Sequence, residues 1–225
     1  LCRQPSISAQ KVGIRECAEL VKAMLEEAGF STRLLYGPEK DYPVVFAQRR
    51  GRSPRTILFY NHYDVQPPEP LELWESPPFE PVVRDGKMYA RGVSDDKGHI
   101  AARLAAIKAL LAVDGELPCN VKFVIEGNEE IGSVGFHQFV EENRELLQAD
   151  ACLWEGGGVN WQGAPEIYLG VKGIVYVELE CRTAGVDAHS SYATIVPNAA
   201  WRLAWALSTL KDQQERILIP GFYDD

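Results

Sequence analysis

Four short segments of this sequence place acidic residues or a histidine where a strand is expected to end. They are NHYD at residues 61–64, SDDKG at 94–98, EE at 129–130 and WE at 154–155. Three of them follow apolar runs, at residues 56–60, 121–125 and 151–154, that indicate buried strands of an α/β sheet. Because ligands of such sheets bind beyond the carboxyl ends of the strands, this pattern predicts a divalent-metal site.

The composition is that of an ordinary globular protein and argues against two classes of partner. Of the 225 residues, 46% are hydrophobic and 24% are charged, which is typical of a folded domain. A formal net charge of −9 works against binding to nucleic acid, since it repels phosphate. No apolar run approaches the roughly 20 residues that span a bilayer, so we expect no membrane partner.

The five cysteines indicate free thiols. Their number is odd and the sequence contains no Cys-x-x-Cys pair. Cys17, Cys152 and Cys181 lie among apolar neighbours, so we expect them to be buried and reduced. Free thiols are typical of a reducing compartment, which favours a cytoplasmic location.

Strands and helices alternate along most of the chain. Helical spacing of apolar residues predicts helices over residues 12–28, 97–111 and 134–147. Short strands are expected at residues 32–36 and 43–48, a surface loop in the proline-rich stretch 67–81, and a hairpin at 82–89 that turns at Asp85-Gly86. This order predicts an α/β fold with a mixed, mostly parallel sheet flanked by helices.

The sequence changes in character after the three glycines at residues 156–158. Apolar and polar residues alternate over 174–181, which predicts a strand with one solvated face, and a helix is expected at 197–210. We therefore expect a catalytic domain over residues 1–172 and the start of a smaller α+β lid or dimerisation domain over 173–225. The sequence starts without methionine and stops without a terminating feature, so we interpret both domains as incomplete parts of a longer protein.

The first two polar segments each allow two interpretations. Strand side chains alternate, so His62 and Asp64 can point to the same side, where the carboxylate could hold the second nitrogen of a metal-bound imidazole. They could equally belong to a solvated loop. Asp95 or Asp96 could bind a metal ion or could be an ordinary N-cap of the following helix.

The two later acidic segments also allow two interpretations each. Glu129 and Glu130 point in different directions, so one carboxylate could bind a metal ion while the other addresses a water molecule. A pair of acids on a surface turn is the simpler alternative. Glu155 ends an apolar strand and precedes glycines that leave room near a ligand, although a solvated glutamate is common at such a position.

Taken together and in order, these segments resemble the M20 family of metallopeptidases, which includes dipeptidases, glutamate carboxypeptidases, aminoacylases and deacylases. The matching motifs are HYDVQP at residues 62–67, YARGVSDDKG at 89–98 and NEEIGS at 128–133. The long loop at residues 74–81 and the SDDKG form are most similar to the dipeptidase branch, which contains carnosine-type and nonspecific dipeptidases.

The resemblance implies a set of metal ligands. They are His62 and Glu155 for a first ion, Asp95 as the bridge between two ions, and Glu130 for the second ion. Most family members carry Asp where this chain has Glu155. Members also have a further metal-binding histidine late in the chain, whereas no histidine follows His189 here. The second ion is therefore expected to keep two protein ligands and to bind more weakly.

The resemblance also implies three roles beside the metal ions. Asp64 would orient His62, Glu129 would be the general base for the attacking water, and His189 would steady the oxyanion from the lid domain. In dimeric members the equivalent histidine serves the partner subunit's site. The Asp95–Asp96 peptide bond is expected to be cis. His99 and His137 match no family ligand, and we interpret them as helix-surface residues.

The resulting functional hypothesis is hydrolysis of a peptide (amide) bond in dipeptides or short peptides by two divalent ions. Imidazole and carboxylate ligands suit zinc, with cobalt and manganese as rivals. The alternatives are a deacylase or carboxypeptidase acting on N-acyl amino acids and, in another class, a noncatalytic metal-binding or interaction fragment. We expect the intact protein to be a homodimer through its lid domain.

Overall fold

A five-stranded mixed sheet lies at the centre of the first of two compact units, Leu1–Ile167. The computed structural model describes residues 1–224. The strands of this sheet are β1 (Ser31–Leu35), β2 (Val44–Arg49), β3 (Ser53–His62), β6 (Cys119–Glu126) and β7 (Ala151–Trp154). Their spatial order is β1-β2-β6-β3-β7, and the β3 pairings with β6 and β7 are parallel while the other two are antiparallel. The predicted mixed α/β sheet is confirmed, with its parallel part confined to the three strands that lead to the polar segments.

Two small antiparallel pairs accompany the main sheet. They are β4 (Val82–Arg84) with β5 (Lys87–Tyr89), and β8 (Gly158–Val159) with β9 (Pro165–Glu166). The β4–β5 hairpin turns at Asp85 and Gly86, both with positive φ, as predicted. The proline-rich stretch before it is a loop that contains one short 3-10 turn, Leu71–Leu73.

The helices are α1 (Ile14–Glu27), α2 (Lys97–Asp114), α3 (Phe136–Glu142), α4 (Arg144–Leu147) and, in the second unit, α5 (Ala199–Ser208). The predicted helices are confirmed, except that the one expected over residues 134–147 is divided at Asn143. There the backbone leaves the helical conformation and the Asn143 amide donates to the carbonyl of Phe139. None of the helices described within residues 1–224 is long and apolar enough to span a membrane.

Both faces of the sheet are covered. On one face α1 and α2 bury side chains at helical spacing: Ile14, Cys17, Val21 and Leu25 from α1, and Ile100, Leu104 and Ile107 from α2. On the other face Phe139 of α3 packs with Val44, Tyr60 and Val124. This two-sided burial fixes the register of β3 and β6, because a slip of one residue would exchange their faces.

The third apolar run, in β7, is a strand but is not buried, so that part of the prediction is wrong. Leu153 is 44% exposed and Trp154 58% exposed. The reason is position, since β7 lies at the sheet edge and pairs with β3 alone. Trp154 keeps one contact with the interior by stacking on the Tyr60 ring, 3.7 Å between centroids.

The cysteines are free, as predicted, but their burial differs from the prediction. Cys17 is fully buried in α1, whereas Cys152 is exposed on the edge strand β7 and Cys181 is partly exposed. Apolar neighbours in sequence did not bury Cys152, because no described element covers that side of β7.

The second unit begins at Tyr168 and contains α5 as its one α-helix among the described residues. The strand predicted over residues 174–181 is wrong, since this segment is irregular. Ile174 and Val175 are 91% and 88% exposed. A strand needs a hydrogen-bonded neighbour, and no described residue pairs with this segment. The predicted domain division at residues 172 and 173 stays a prediction.

Phe123 lies at the centre of the first unit and should dominate its stability. Its ring is fully buried between Phe30 and Phe59, at centroid distances of 5.5 and 5.0 Å. We expect Phe123→Ala to lower the free energy of unfolding by about 3–5 kcal/mol, because it leaves a cavity. Val113→Ala on the exposed side of α2 should change it by about 0.5 kcal/mol or less. Denaturant titration would measure both, and equal effects would contradict this description of the core.

Candidate metal centre

His62 ends β3 as a buried imidazole between two carboxylates. Its Nε2 lies 2.7 Å from Asp95 Oδ1, and its Nδ1 lies 3.1 Å from the Asp64 carbonyl oxygen and 3.4 Å from Asp64 Oδ1. Burial lowers the pKa of His62, but the hydrogen bonds to Asp64 and Asp95 outweigh burial and raise the pKa to about 11. The ring therefore faces acceptors on both sides, and a cation at Nε2 would take the place of its proton.

Asp64 connects His62 to the turn that follows β6. This carboxylate is fully buried, and its two oxygens accept hydrogen bonds from the backbone amides of Glu129 at 3.2 Å and Glu130 at 3.1 Å. These amides open the short 3-10 helix Glu129–Ile131, where free N–H groups favour a negative charge. A single carboxylate thus contacts three of the residues that the sequence singled out.

Three side chains converge closely enough to share one cation. One ligand atom each from His62, Asp95 and Glu130 lie within 4.8 Å of one another. Gln66 donates to both the carbonyl and the carboxylate of Glu130, at 2.9 Å each, and so fixes its direction. Imidazole and carboxylate donors are the set that zinc, cobalt and manganese accept, so the chemistry of these residues fits a divalent ion.

The acids around this group repel one another. Burial, and then the charges of neighbouring carboxylates, raise the pKa of Glu129, Glu130 and Glu155, although the His62 charge opposes this. Like charges held together and partly out of water favour protonation or a bound cation. The electrostatics and the donor chemistry therefore point to the same kind of ligand.

Two predicted site residues lie outside the close group. Glu155 follows β7 with a left-handed φ of 40° and affects the pKa of its neighbours, but it is not among the residues whose ligand atoms converge. Glu129 places a carboxylate oxygen 4.0 Å from His62 Nε2. The geometry therefore brings His62, Asp95 and Glu130 together and keeps Glu129 and Glu155 beside them.

His189 belongs to the second unit, which begins at Tyr168. It is exposed, and its Nδ1 accepts a hydrogen bond from the Ser191 amide at 3.1 Å, which caps the 3-10 turn Ser190–Tyr192. This contact accounts for the local conformation of the histidine, and its predicted role at the oxyanion stays a prediction.

Comparison with known proteins decides the family. Residues 58–223 match the family described as peptidase family M20/M25/M40. The chain belongs to this family. The matched residues include the ends of β3, β6 and β7 and hence every residue that the sequence predicted for the site.

Relatives of known name and structure agree with this membership. Human Beta-Ala-His dipeptidase is 35% identical over 188 residues, 81% of this chain and 37% of that protein. The Cys-Gly metallodipeptidase of Schizosaccharomyces pombe is 30% identical over 208 residues, 90% of this chain and 44% of that protein. An M20 family metallo-carboxypeptidase from Sulfolobus solfataricus superposes with a TM-score of 0.91 at 44% identity, covering 100% of this chain and 51% of that structure. The chain thus spans about half the length of these relatives or less.

Asp96 is a residue of this M20 chain whose surroundings the sequence did not reveal. It occupies the N-cap position of α2 but makes no capping hydrogen bond. Its buried carboxylate accepts instead from Asn61 Nδ2 at 2.6 Å, from the His62 amide at 3.1 Å and from His99 Nδ1 at 2.7 Å. The cap interpretation is therefore wrong, and the predicted cis bond between Asp95 and Asp96 is confirmed.

The two histidines that match no family ligand differ from each other. His137 is exposed on α3, as interpreted. His99 is only partly exposed, because its ring is bonded to the buried Asp96 and packs on Gly156. The surface interpretation is therefore wrong for His99. The i, i+3 spacing of Asp96 and His99 was a sequence signal for the first contact, whereas the contact with Gly156, 57 positions away, had none.

Glu126 is a second buried acid that sequence patterns missed. At the end of β6 its Oε1 accepts from the Tyr60 hydroxyl at 2.5 Å and from Ser133 Oγ at 3.0 Å, while Oε2 has no hydrogen-bond partner in the structure. Burial raises the pKa of Glu126 to about 7. Its contact with Ser133 closes the base of the turn that carries Glu129 and Glu130.

This raised pKa predicts a pH-dependent stability that Glu126→Gln should remove. Between pH 4.5 and about 7 the folded state retains a proton that the unfolded state has lost, so this group makes the free energy of unfolding fall as pH rises through that window. The full effect is about 3 kcal/mol at most, from 1.36 kcal/mol per pH unit. Glutamine cannot ionise, so the variant should gain stability relative to the parent between pH 5 and 8.

Denaturant titrations of the chelator-treated protein at several pH values would measure this difference. The exposed Glu72 provides the control, because Glu72→Gln should leave the pH profile unchanged. Parallel profiles for the parent protein and Glu126→Gln would contradict the assignment.

Proposed function

We propose that the intact protein hydrolyses the peptide bond of dipeptides or short peptides with the help of two divalent metal ions. The observation that carries the proposal is the convergence of His62, Asp95 and Glu130, whose ligand atoms lie within 4.8 Å of one another at the carboxyl edge of the sheet. Membership of a metallopeptidase family supports it, as do relatives named as dipeptidases. Because the chain spans only part of those relatives, activity, substrate and partners belong to the proposal.

The proposed ligand assignment divides the three converging residues between two ions and adds Glu155, as the family resemblance implies. His62, Asp95 and Glu155 would hold a first ion, and Asp95 and Glu130 a second, with zinc as the favoured metal and cobalt or manganese as rivals. When bound, such ions polarise the scissile carbonyl and lower the pKa of the attacking water. Glu155 directly follows the edge strand β7, and its charge acts on Glu129 beside the converging group.

Glu129 is proposed as the general base. Its carboxylate lies beside the ligand group, 4.0 Å from His62 Nε2, and its backbone is fixed by the hydrogen bond to Asp64. Burial raises the pKa of Glu129, which brings it nearer to neutral pH, where one group can accept a proton from water and return it to the leaving amine. Asp64 would act through its neighbours, by keeping His62 and Glu129 in place.

The remaining parts of the proposal concern the second unit and the cell. His189 would stabilise the oxyanion of the tetrahedral intermediate, and the intact protein would be a homodimer through its lid domain. A cytoplasmic location is supported by five free cysteines. Measurement of molecular mass in solution and a His189→Ala variant with reduced kcat would support these parts.

A second candidate within the same chemistry is favoured by one comparison. The structure from Sulfolobus solfataricus, 44% identical, is that of a metallo-carboxypeptidase. Dipeptides, longer peptides with a free carboxyl end and N-acyl amino acids, each tested with the intact protein, would separate dipeptidase, carboxypeptidase and deacylase. Turnover confined to N-acyl amino acids would reject the dipeptidase assignment.

Removal of metal would distinguish a dipeptidase, carboxypeptidase or deacylase from a noncatalytic fragment. We expect dialysis against a chelator to abolish hydrolysis and addition of Zn²⁺, Co²⁺ or Mn²⁺ to restore it, because the carboxylates and His62 alone supply no electrophile for the carbonyl. Activity that persists without metal would defeat the metallohydrolase proposal, and metal binding without any turnover would favour the noncatalytic alternative.

Substitution by glutamine should have different effects at the adjacent residues Glu129 and Glu130. Glu129→Gln should lower kcat by several orders of magnitude while metal content stays near that of the parent, because this residue handles a proton. Glu130→Gln should lower the metal content itself, since it removes a ligand charge next to Asp95. Elemental analysis beside steady-state kinetics would measure both effects. Equal loss of metal in the two variants would mean that the base and the ligand have been assigned wrongly.

A further inference from the structure

Asp96 is a buried charge that the proposed chemistry does not use. Its side chain is 1% exposed, yet three donors surround it, namely Asn61 Nδ2, the His62 amide and His99 Nδ1. Behind it, Arg103 donates to Asn61 Oδ1 and to the Tyr60 carbonyl. A carboxylate remains charged out of water only when such donors are present, so the position of each donor is tied to that of Asp96.

One of these contacts reaches a candidate metal ligand directly, and another connects Asp96 to His99. One Asp96 oxygen, Oδ2, accepts from the His62 amide and so fixes the backbone that carries the imidazole. The other oxygen, Oδ1, accepts from His99 Nδ1 at 2.7 Å. A carboxylate is an acceptor only, so the proton of the His99 ring is on Nδ1 and the face of the ring is free to pack elsewhere.

The face of the His99 ring lies against Gly156. A Cβ placed on Gly156 would be 2.2 Å from both Cε1 and Nε2 of His99, a distance at which no side chain fits. The glycine is therefore required by the close approach of the ring to the backbone. Because Gly156 directly follows Glu155, the His99 ring limits where the chain can run immediately after that glutamate.

The residues on either side of Glu155 are held by the stacking of Trp154 on Tyr60 and by the contact of His99 with Gly156. Glu155 directly follows β7, an exposed edge strand with one neighbour, and it has a φ of 40°, which is unfavourable for a residue other than glycine. An edge strand followed by an unfavourable backbone conformation is free to shift unless something packs against it. His99 is the residue of α2 that does so.

We propose that His99 is a positioning residue for the half of the metal site formed by His62 and Glu155. Its Nδ1 holds Asp96, which fixes the His62 backbone, and its ring holds Gly156, which fixes the turn after Glu155. Glu130 is positioned separately, by Asp64 and Gln66. The effect of His99 is therefore confined to the first ion. The inference rests on the proposed function for the assignment of Glu155 as a ligand of that ion.

Three substitutions of His99 separate its two contacts. His99→Ala removes both, His99→Asn retains a donor near the place of Nδ1, and His99→Phe retains a ring against Gly156 without the donor. His137→Ala is the matched control, because that histidine is exposed on α3. Glu155→Gln and Glu130→Gln serve as references that identify the signals of the first and second ions.

The measurement is titration of the intact, chelator-treated protein with Co²⁺, recording the dissociation constant and the visible absorption spectrum of each bound ion. We expect His99→Ala to weaken the first ion about 10-fold and to change its spectrum, the size typical of residues that orient metal ligands. The second ion should keep its affinity. His99→Asn and His99→Phe should each recover part of the loss, and His137→Ala should match the parent protein.

Thermal unfolding of every variant shows whether the fold is retained, and the Asn and Phe variants decide the matter if His99→Ala does not fold. Unchanged binding of the first ion in all folded variants would overturn the inference while leaving the proposed function intact. Equal weakening of both ions, not relieved by His99→Asn, would also overturn it. If the parent protein binds no Co²⁺, the proposed function fails first and the inference with it.

Discussion

The buried carboxylate of Asp64 is the constraint on which the candidate site depends. It is fully removed from solvent, so its charge is tolerable only because hydrogen-bond donors surround it. Two of those donors are the amides of Glu129 and Glu130, and the neighbouring group is the His62 ring. Loss of this carboxylate would remove the one side chain that contacts both the His62 ring and the amides of Glu129 and Glu130.

Backbone contacts bring Asp64 and the acidic turn to each other. Tyr63 donates its amide to the Glu126 carbonyl, so the parallel pairing of β3 and β6 continues to the residue before Asp64. The Tyr63 hydroxyl reaches the Pro43 carbonyl at 2.7 Å and lies where a Cβ on Gly127 would be, 2.1 Å away. Gly127 is therefore the residue that lets the chain turn tightly over Tyr63 and present Glu129 and Glu130 to Asp64.

The sequence predicted those features that depend on local pattern or on motifs. Helical spacing located α1 and α2, and the HYDVQP, SDDKG and NEEIGS motifs indicated the family and the three side chains that converge. It failed where burial depends on a distant neighbour. The apolar residues of β7 suggested a buried strand, yet β7 is an exposed edge strand, and the strand predicted over residues 174–181 is irregular. The contacts of Asp96 with Asn61 and of His99 with Gly156 were missed for the same reason, since these partners are far away in sequence.

Charge balance explains why such a site favours a cation. The carboxylates of Asp64 and Asp95 hydrogen-bond to the His62 imidazole and raise its pKa to about 11. A divalent ion bound at His62 Nε2 has to displace the proton of the ring, because only neutral imidazole is a ligand. Ion binding would therefore be coupled to proton release, and its affinity would rise with pH. The carboxylates that stabilise the protonated His62 ring would also attract a cation that replaces the proton. The same acids would therefore stabilise both the protonated and the metal-bound site.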